Sequence, residues 1–362
     1  MDRNTIIGIV LIFVIIIGFA LINQPSKEEL EKAKHRIDSI AKVEQARMEE
    51  EARKQQEAIN NAPVLAQADT VTGLSPDSLK EIAAVQQFGR FSAATEGERR
   101  YITLENDLMR IVFSSQGGRI HSVQLKDYKT WDGRPLYLFR GDSTLFDLNF
   151  FADNRNISTQ DLFFSYLGTD SMLFAEKDSQ TVAFRLSPDS SSSIVFEYTL
   201  KPGSYKVGFN IITKNLKQVV AENSNYINLK WQVLTPKQEK GADFESMNTT
   251  IYFKHHQDEV DHLSETSDDK ENIPTRVDWV GFKQQFFSAA IIAEDPFLNG
   301  ILTSTKVLGD TIHLKQFSAD LSIAIDPRKD ENKAFTFYFG PNHFQTLKDQ
   351  GITDLHRLVP LG

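Results

Sequence analysis

One uninterrupted apolar run, Ile6 to Ile22 (IIGIVLIFVIIIGFALI), constrains this chain more than any other feature, and no second run of that kind follows in 362 residues. Seventeen residues at about 1.5 Å rise reach roughly 25 Å, enough to cross a hydrocarbon core. A signal-peptide core is usually shorter and ends at a small-x-small cleavage site. Here the run closes on Ala20-Leu21-Ile22-Asn23-Gln24-Pro25, a poor match, and a chain without cysteine cannot be processed as a lipoprotein. The run therefore reads as an uncleaved transmembrane anchor over 6–22, after a short tail over 1–5. Everything beyond Gln24 is then a large body tethered to a bilayer. Flanking charge hardly orients it: Arg3 is offset by Asp2, and Lys27, Lys32, Lys34 and Arg36 lie beyond the run.

The formal net charge of −9 comes without a basic block, which speaks against nucleic-acid binding. Zero cysteines remove disulfides, zinc ribbons and thiol chemistry together. The core must form from side chains alone, and 26 Phe, 9 Tyr and 3 Trp can supply it.

Residues 23–100 read as a charged helix and a linker. Ser26-Lys27-Glu28-Glu29 is a capping box, followed by Leu30, Ala33, Ile37 and Ile40 at helical spacing. That stripe fades after Val43, which favours a solvated spacer over a coiled coil. Asn60 to Gly97 is rich in Ala, Gln, Ser and Thr, with room for one short helix over Pro76–Gln87 capped by Ser75.

From Tyr101 the texture changes to short β-rich runs. They are Tyr101–Leu104, Leu108–Phe113, Ile120–Leu125, Leu136–Phe139, Leu145–Phe150, Thr181–Leu186, Ile194–Leu200, Tyr205–Thr213, Tyr226–Leu234, Thr250–Phe253, Phe286–Ala293, Gly300–Thr303, Thr311–Phe317, Leu321–Ile325 and Ala334–Phe339. Trp131-Asp132-Gly133-Arg134 and Lys201-Pro202-Gly203-Ser204 read as hairpin corners. Tyr205, Val207 and Phe209 alternate with polar or small neighbours, as a half-buried strand requires. Some fifteen strands with few helices predict a mainly β fold, a large antiparallel β-sandwich over 101–342. Phe344, Leu347, Ile352, Leu355, Leu358 and Val359 then space an apolar stripe, predicting a helical or irregular cap over 343–362.

Candidate chemistry is sparse. His255, His256, Asp258, Glu259, Asp261 and His262 are the densest set of metal-ligating types, but they lie in a polar stretch that reads as a solvated loop. Gly117-Gly118 lacks the spacing and following helix of a nucleotide loop and reads as a strand-to-strand turn. Acid–base chemistry would need a histidine and a carboxylate in one cleft. His121, His255, His256, His262, His313 and His343 are available, none in a recognisable motif. No residue is assigned as catalytic, cofactor-binding or metal-binding, and no cofactor is expected.

Several stretches, in order, resemble one family. Asp2-Arg3-Asn4-Thr5-Ile6-Ile7-Gly8 is similar to the amino terminus of YidC-type membrane protein insertases, those of Bacteroidetes-like bacteria above all. So are Leu104-Glu105-Asn106-Asp107-Leu108, Phe113-Ser114-Ser115-Gln116-Gly117-Gly118-Arg119-Ile120 and Val123-Gln124-Leu125-Lys126-Asp127-Tyr128-Lys129-Thr130. Trp279-Val280-Gly281-Phe282-Lys283-Gln284-Gln285-Phe286-Phe287 resembles the family's Trp-to-Phe-Phe strand segment. Tyr338-Phe339-Gly340-Pro341-Asn342 resembles the end of its periplasmic domain. The resemblance implies an inner-membrane protein with a cytoplasmic amino terminus and a periplasmic β-supersandwich of galactose-mutarotase-like type. It implies nascent inner-membrane proteins, Sec translocon subunits and the lipid bilayer as partners, and binding rather than enzymatic chemistry. It also implies that residues 1–362 are the leading piece of a longer protein, whose helical membrane core, with a buried groove arginine, would follow Gly362. A membrane-tethered carbohydrate-binding or epimerase-like sandwich is the alternative.

Overall fold

The computed structural model describes residues 76–220 and 224–360. The expected anchor over 6–22 and the charged helix after Ser26 lie outside the described residues. Ser75–Gly362 forms one compact unit, and among its described residues no helix is long and apolar enough to cross a membrane.

Twenty strands build three sheets. The five-stranded sheet runs β4 (Pro135–Arg140), β3 (Arg119–Lys129), β2 (Met109–Ser114), β1 (Tyr101–Glu105), β8 (Met172–Phe174). The nine-stranded sheet runs β14 (Val260–His262), β13 (Thr250–His255), β16 (Val277–Lys283), β17 (Phe287–Phe297), β20 (Glu331–Pro341), β11 (Lys206–Lys214), β10 (Ser193–Leu200), β9 (Gln180–Leu186), β7 (Ser165–Tyr166). The six-stranded sheet runs β15 (Asp269–Ile273), β18 (Gly300–Lys306), β19 (His313–Ala324), β12 (Tyr226–Pro236), β5 (Thr144–Ala152), β6 (Arg155–Ser158). All pairings are antiparallel except β1 with β8, the one departure from the expected antiparallel pattern.

Period-two alternation decides which side chains meet. Phe335, Phe337 and Phe339 of β20 face the interior. There Phe337 meets Phe146 of β5 and Trp231 of β12, while Phe339 meets Phe139 of β4. Phe113 of β2 reaches Tyr198 of β10 at 4.8 Å between ring centroids. The nine-stranded sheet is thus the shared wall against which both other sheets pack. On its opposite face Tyr252, Trp279, Ala290 and Tyr338 form a second cluster. The carboxyl-terminal segment covers it through α3 (Phe344–Asp349) and the 3-10 turn Leu355–Leu358, burying Leu347, Leu355 and Leu358 completely. Gly351 at φ 69° separates that helix from the turn.

Four expectations need correction. The short helix expected over Pro76–Gln87 is present as α1 (Pro76–Phe88), but it and the 3-10 turn Gly89–Thr95 fold onto the sandwich instead of leaving 76–97 as linker, with Phe88 and Phe91 in the main core. Runs 311–317 and 321–325 are one strand, β19, which continues through the polar Ser318 and Asp320. The polar stretch after His255 is not all loop, since β14 and β15 occupy sheet edges there. Val277–Lys283, absent from the strands read by alternation, is a nearly fully buried central strand, so its apolar and small residues do not alternate.

Lys315 of β19 is completely buried. Its ammonium donates to the carbonyls of Thr249 at 2.6 Å and Glu265 at 2.8 Å, tying the loop after β14 to the sheet. Burial first, then neighbouring Lys306, pushes its pKa down to about 8. Between pH 8 and 10 the unfolded chain then binds more protons at this position, so stability rises with pH, on the order of 2 kcal/mol across the window. Above pH 10 buried Tyr198 and Tyr338, whose pKa values are raised by burial, reverse the sign. Urea denaturation of Lys315→Met across pH 7.5–10 should show a much shallower rise. Lys283, lowered by burial as well, supplies what slope remains. An unchanged slope would contradict this assignment.

Candidate functional site

A polar cleft is built where β2 turns into β3. Gly117 and Gly118 take φ values of 77° and 58°. A Cβ at Gly118 would lie 3.0–3.1 Å from Phe164 and Phe196 ring atoms, so the turn must seat directly on the core. The buried Tyr198 hydroxyl donates to the Gly118 carbonyl at 2.9 Å from beneath. Val112 pairs with Ser122 and Phe113 with Ile120, which leaves His121 as the extra residue of a β-bulge. Bulges re-aim side chains, and here Arg119 and His121 both enter a cleft of about 270 Å³. Arg99, Gln116, Asp142, Thr144 and Asp161 are among the residues that line it with them.

Burial lowers the Arg119 pKa, Arg99 adds to the shift, and Asp142 opposes both. His121 titrates below its ordinary value, through burial first and Arg119 second, so its imidazole is neutral at pH 7. The ring packs against Tyr101 at 4.8 Å. Arg99 donates from Nε to the Gln116 side-chain Oε1 at 2.8 Å. Burial raises the Asp161 carboxyl, and Asp147 reinforces the shift. Asp147 itself is consumed structurally, accepting from Ser158 Oγ, Gln160 N and Asn149 Nδ2 at 2.7–3.0 Å. The Thr144 hydroxyl is buried without a hydrogen-bond partner. Guanidinium donors beside carboxylate acceptors suit an uncharged or zwitterionic polar ligand better than a bare ion. Among the described residues no hydrogen bond links His121 to either cleft carboxylate, so no proton relay is in place.

The remaining sequence candidates lie elsewhere, with Asp261 and His262 together on the wall of a larger cleft that His356 and Arg357 also line. His255 Nδ1 meets Thr275 Oγ1 at 3.2 Å, while His256 Nδ1 meets Asp278 at 2.7 Å. His262 Nδ1 lies 2.9 Å from the Leu263 carbonyl. Asp258 and Asp261 accept from the backbone amides that follow them. His313 pairs with Asp310 at 2.7 Å, and His343 caps α3 through Thr346. Among the described residues no group of three or more His, Asp or Glu could hold a metal ion. Arg119, Asp142 and Asp161 were not singled out in the sequence, where the only signal is a charged residue directly after the Gly-Gly turn.

Residues 101–362 match the family model described as the YidC periplasmic domain. The chain belongs to the YidC periplasmic-domain family. The model covers every strand of the three sheets, and the Gly117-Gly118 turn and the carboxyl-terminal segment lie within it. Curated relatives described as "Membrane protein insertase YidC" include those of Parabacteroides distasonis, 37% identical, and Porphyromonas gingivalis, 34% identical. Both alignments take in the whole of this chain and 56% of the relative. The chain thus spans about half the length of the YidC relatives it matches. Among solved structures, a galactose mutarotase-like protein from Lactobacillus casei aligns over 66% of this chain and 99% of its own, at 10% identity and a TM-score of 0.43. So loose a likeness carries no inference about ligand or reaction.

Proposed function

We propose that this chain is the anchor and periplasmic body of an inner-membrane protein insertase, aiding insertion and folding of membrane proteins, alone or beside the Sec translocon. The observation that carries the reading is the YidC family match over 101–362, joined to the apolar run at Ile6–Ile22. The body acts by binding, without covalent chemistry. Its amino terminus lies in the cytoplasm and the residues after Gln24 lie in the periplasm.

Topology is the most direct check on this reading. The chain has no cysteine, so a single engineered thiol reports alone. Ala93 is exposed on the 3-10 turn Gly89–Thr95. Ala93→Cys should react with a membrane-impermeant maleimide in intact spheroplasts. Reaction only after lysis would place the body in the cytoplasm and defeat the proposal.

A carbohydrate-binding or epimerase-like role has one observation in its favour, the presence of His121 with Asp142 and Asp161 in one cleft. Unlinked as they are, they support at most binding. Sugar-dependent shifts of the His121 ring signals in NMR would favour that role.

A further inference from the structure

One end of the sandwich gathers large apolar side chains that face solvent. Trp131 projects from the β3–β4 turn, Phe244 and Met247 from α2 (Ala242–Met247), and Phe286 from the β16–β17 turn. Leu308 and Ile312 project from the β18–β19 hairpin, 91% and 64% exposed. Backbone registers place all of them at the end where β12, β16 and β18 finish and β4, β17 and β19 begin.

Hydrogen bonds stitch these loops together. Trp131 N donates to Gln238 O at 3.0 Å, and Lys237 N to Ile312 O at 2.8 Å. Asn342 N donates to Phe286 O at 2.7 Å. The Gln238 amide reaches Gln284 Oε1 at 3.1 Å, and the buried Glu245 carboxylate holds the amides of Gln238 and Glu239. Glu245 titrates high through burial, opposed by those same amides. The tips are therefore held in place while exposing surface that costs free energy in water.

We infer that this end of the body docks on the interfacial zone of the lipid bilayer, with Trp131, Phe244, Leu308 and Ile312 entering it. This rests on the membrane-anchored reading above. The tips stand on separate elements, Trp131 on one turn, Phe244 on a short helix and Leu308 with Ile312 on one hairpin, which suits insertion among lipid headgroups better than receipt of a peptide. Indole and aliphatic tips beside Lys129, Lys240 and Lys306 are the side-chain types that partition there. Asp132, Glu239, Asp243 and Asp310 nearly balance the local cations, so apolar insertion and not charge would carry the contact. The anchor can reach it. Arg155 binds Gln86 O at the opposite end, where α1 sits. Even so, the roughly fifty residues between Ile22 and Pro76, at up to about 3.3 Å each, can exceed the height of an eleven-residue strand several-fold.

Trp131 makes the test clean, because Trp231 and Trp279 are buried. The full chain would be reconstituted into phosphatidylethanolamine–phosphatidylglycerol vesicles containing brominated lipid, with Trp131→Phe as the subtraction. Trp131 emission should shift to the blue and be quenched by bromine. Quenching should persist at about 0.5 M salt, where the Debye length is only several ångströms. Leu308→Asp with Ile312→Asp should abolish the quenching without changing the melting temperature. Flotation with the vesicles while Trp131 stays open to aqueous acrylamide would overturn the docking and leave the anchor reading standing. Failure to float would overturn both. Protection of Trp131 only when another membrane protein is co-reconstituted would assign the surface to a protein and overturn the lipid contact.

Discussion

Ending the chain after Asn342 should leave a body whose melting temperature falls by roughly 10 °C or more, with its near-ultraviolet aromatic signal altered. The segment removed carries Leu347, Leu355 and Leu358, all fully buried against Tyr252, Trp279 and Tyr338. It is also latched by polar contacts, Trp279 Nε1 donating to Thr353 O at 3.0 Å and Lys206 Nζ to Gln350 O at 2.7 Å. Leu358 sits so close to the sheet that a Cβ at Gly281 would meet its Cδ2 at 3.1 Å. A single Leu358→Ala should cost about 2–5 kcal/mol through lost transfer energy and the cavity left behind. At about 2–4 °C per kcal/mol for a body of this size, that alone is visible in thermal unfolding of the full chain. An unchanged melting temperature for both variants would mean that the segment lies on the sheet without supporting it.

Trp231→Ala should be nearly as damaging, for a different reason. This side chain sits where all three sheets meet. It stacks on Phe282 of the nine-stranded sheet at 4.3 Å and 25°, meets Phe337 at 5.8 Å, and reaches Phe139 of the five-stranded sheet at 6.5 Å. Removing a buried indole costs about 3–5 kcal/mol, and here the hole borders a small void already lined by Phe139, Phe146 and Phe339. One aromatic contact between the six-stranded and five-stranded sheets, Trp231 with Phe139, is lost with it. Trp231→Phe keeps an aromatic face against Phe282 and should be much milder. Equal loss from both substitutions, measured by denaturant unfolding, would show that the indole is not the junction it is taken to be.

Several strands legible in the sequence have one wet face, although Thr250–Phe253 and Phe286–Ala293 are also legible and are covered on both. Tyr205–Thr213 alternates because its outer side chains reach solvent or a polar neighbour, as Ala334 and Thr336 of β20 do before Tyr338 enters the second cluster, and the Gly133 and Gly203 corners fall where positive φ was needed. Val277–Lys283 hides because both its faces are covered. β14 and β15 hide for the opposite reason, being edge strands whose side chains are mostly polar and partly exposed. α1 and the 3-10 turn after it bring only Phe88 and Phe91 into the main core, too few anchors to mark a helix as packed in advance. The cleft is the least legible part. His121 stands out by type, but Asp142 and Asp161 reach it only through tertiary folding, and the bulge that aims His121 depends on its pairing partner.

On the proposed reading, residues 1–362 anchor the body and dock it, and carrying a polar segment across lipid is a separate demand. Unsatisfied polar groups in hydrocarbon cost several kcal/mol each, so insertion requires a shielded hydrophilic path. Ile6–Ile22 contains no ionisable residue and offers none. The decisive measurement depletes a bacterium of its native insertase and expresses either residues 1–362 or a full-length relative, scoring growth and the insertion of a dependent membrane protein. The account predicts that the relative rescues both, and that residues 1–362, although membrane-bound and folded, rescue neither. Restoration of insertion by residues 1–362 alone would contradict it.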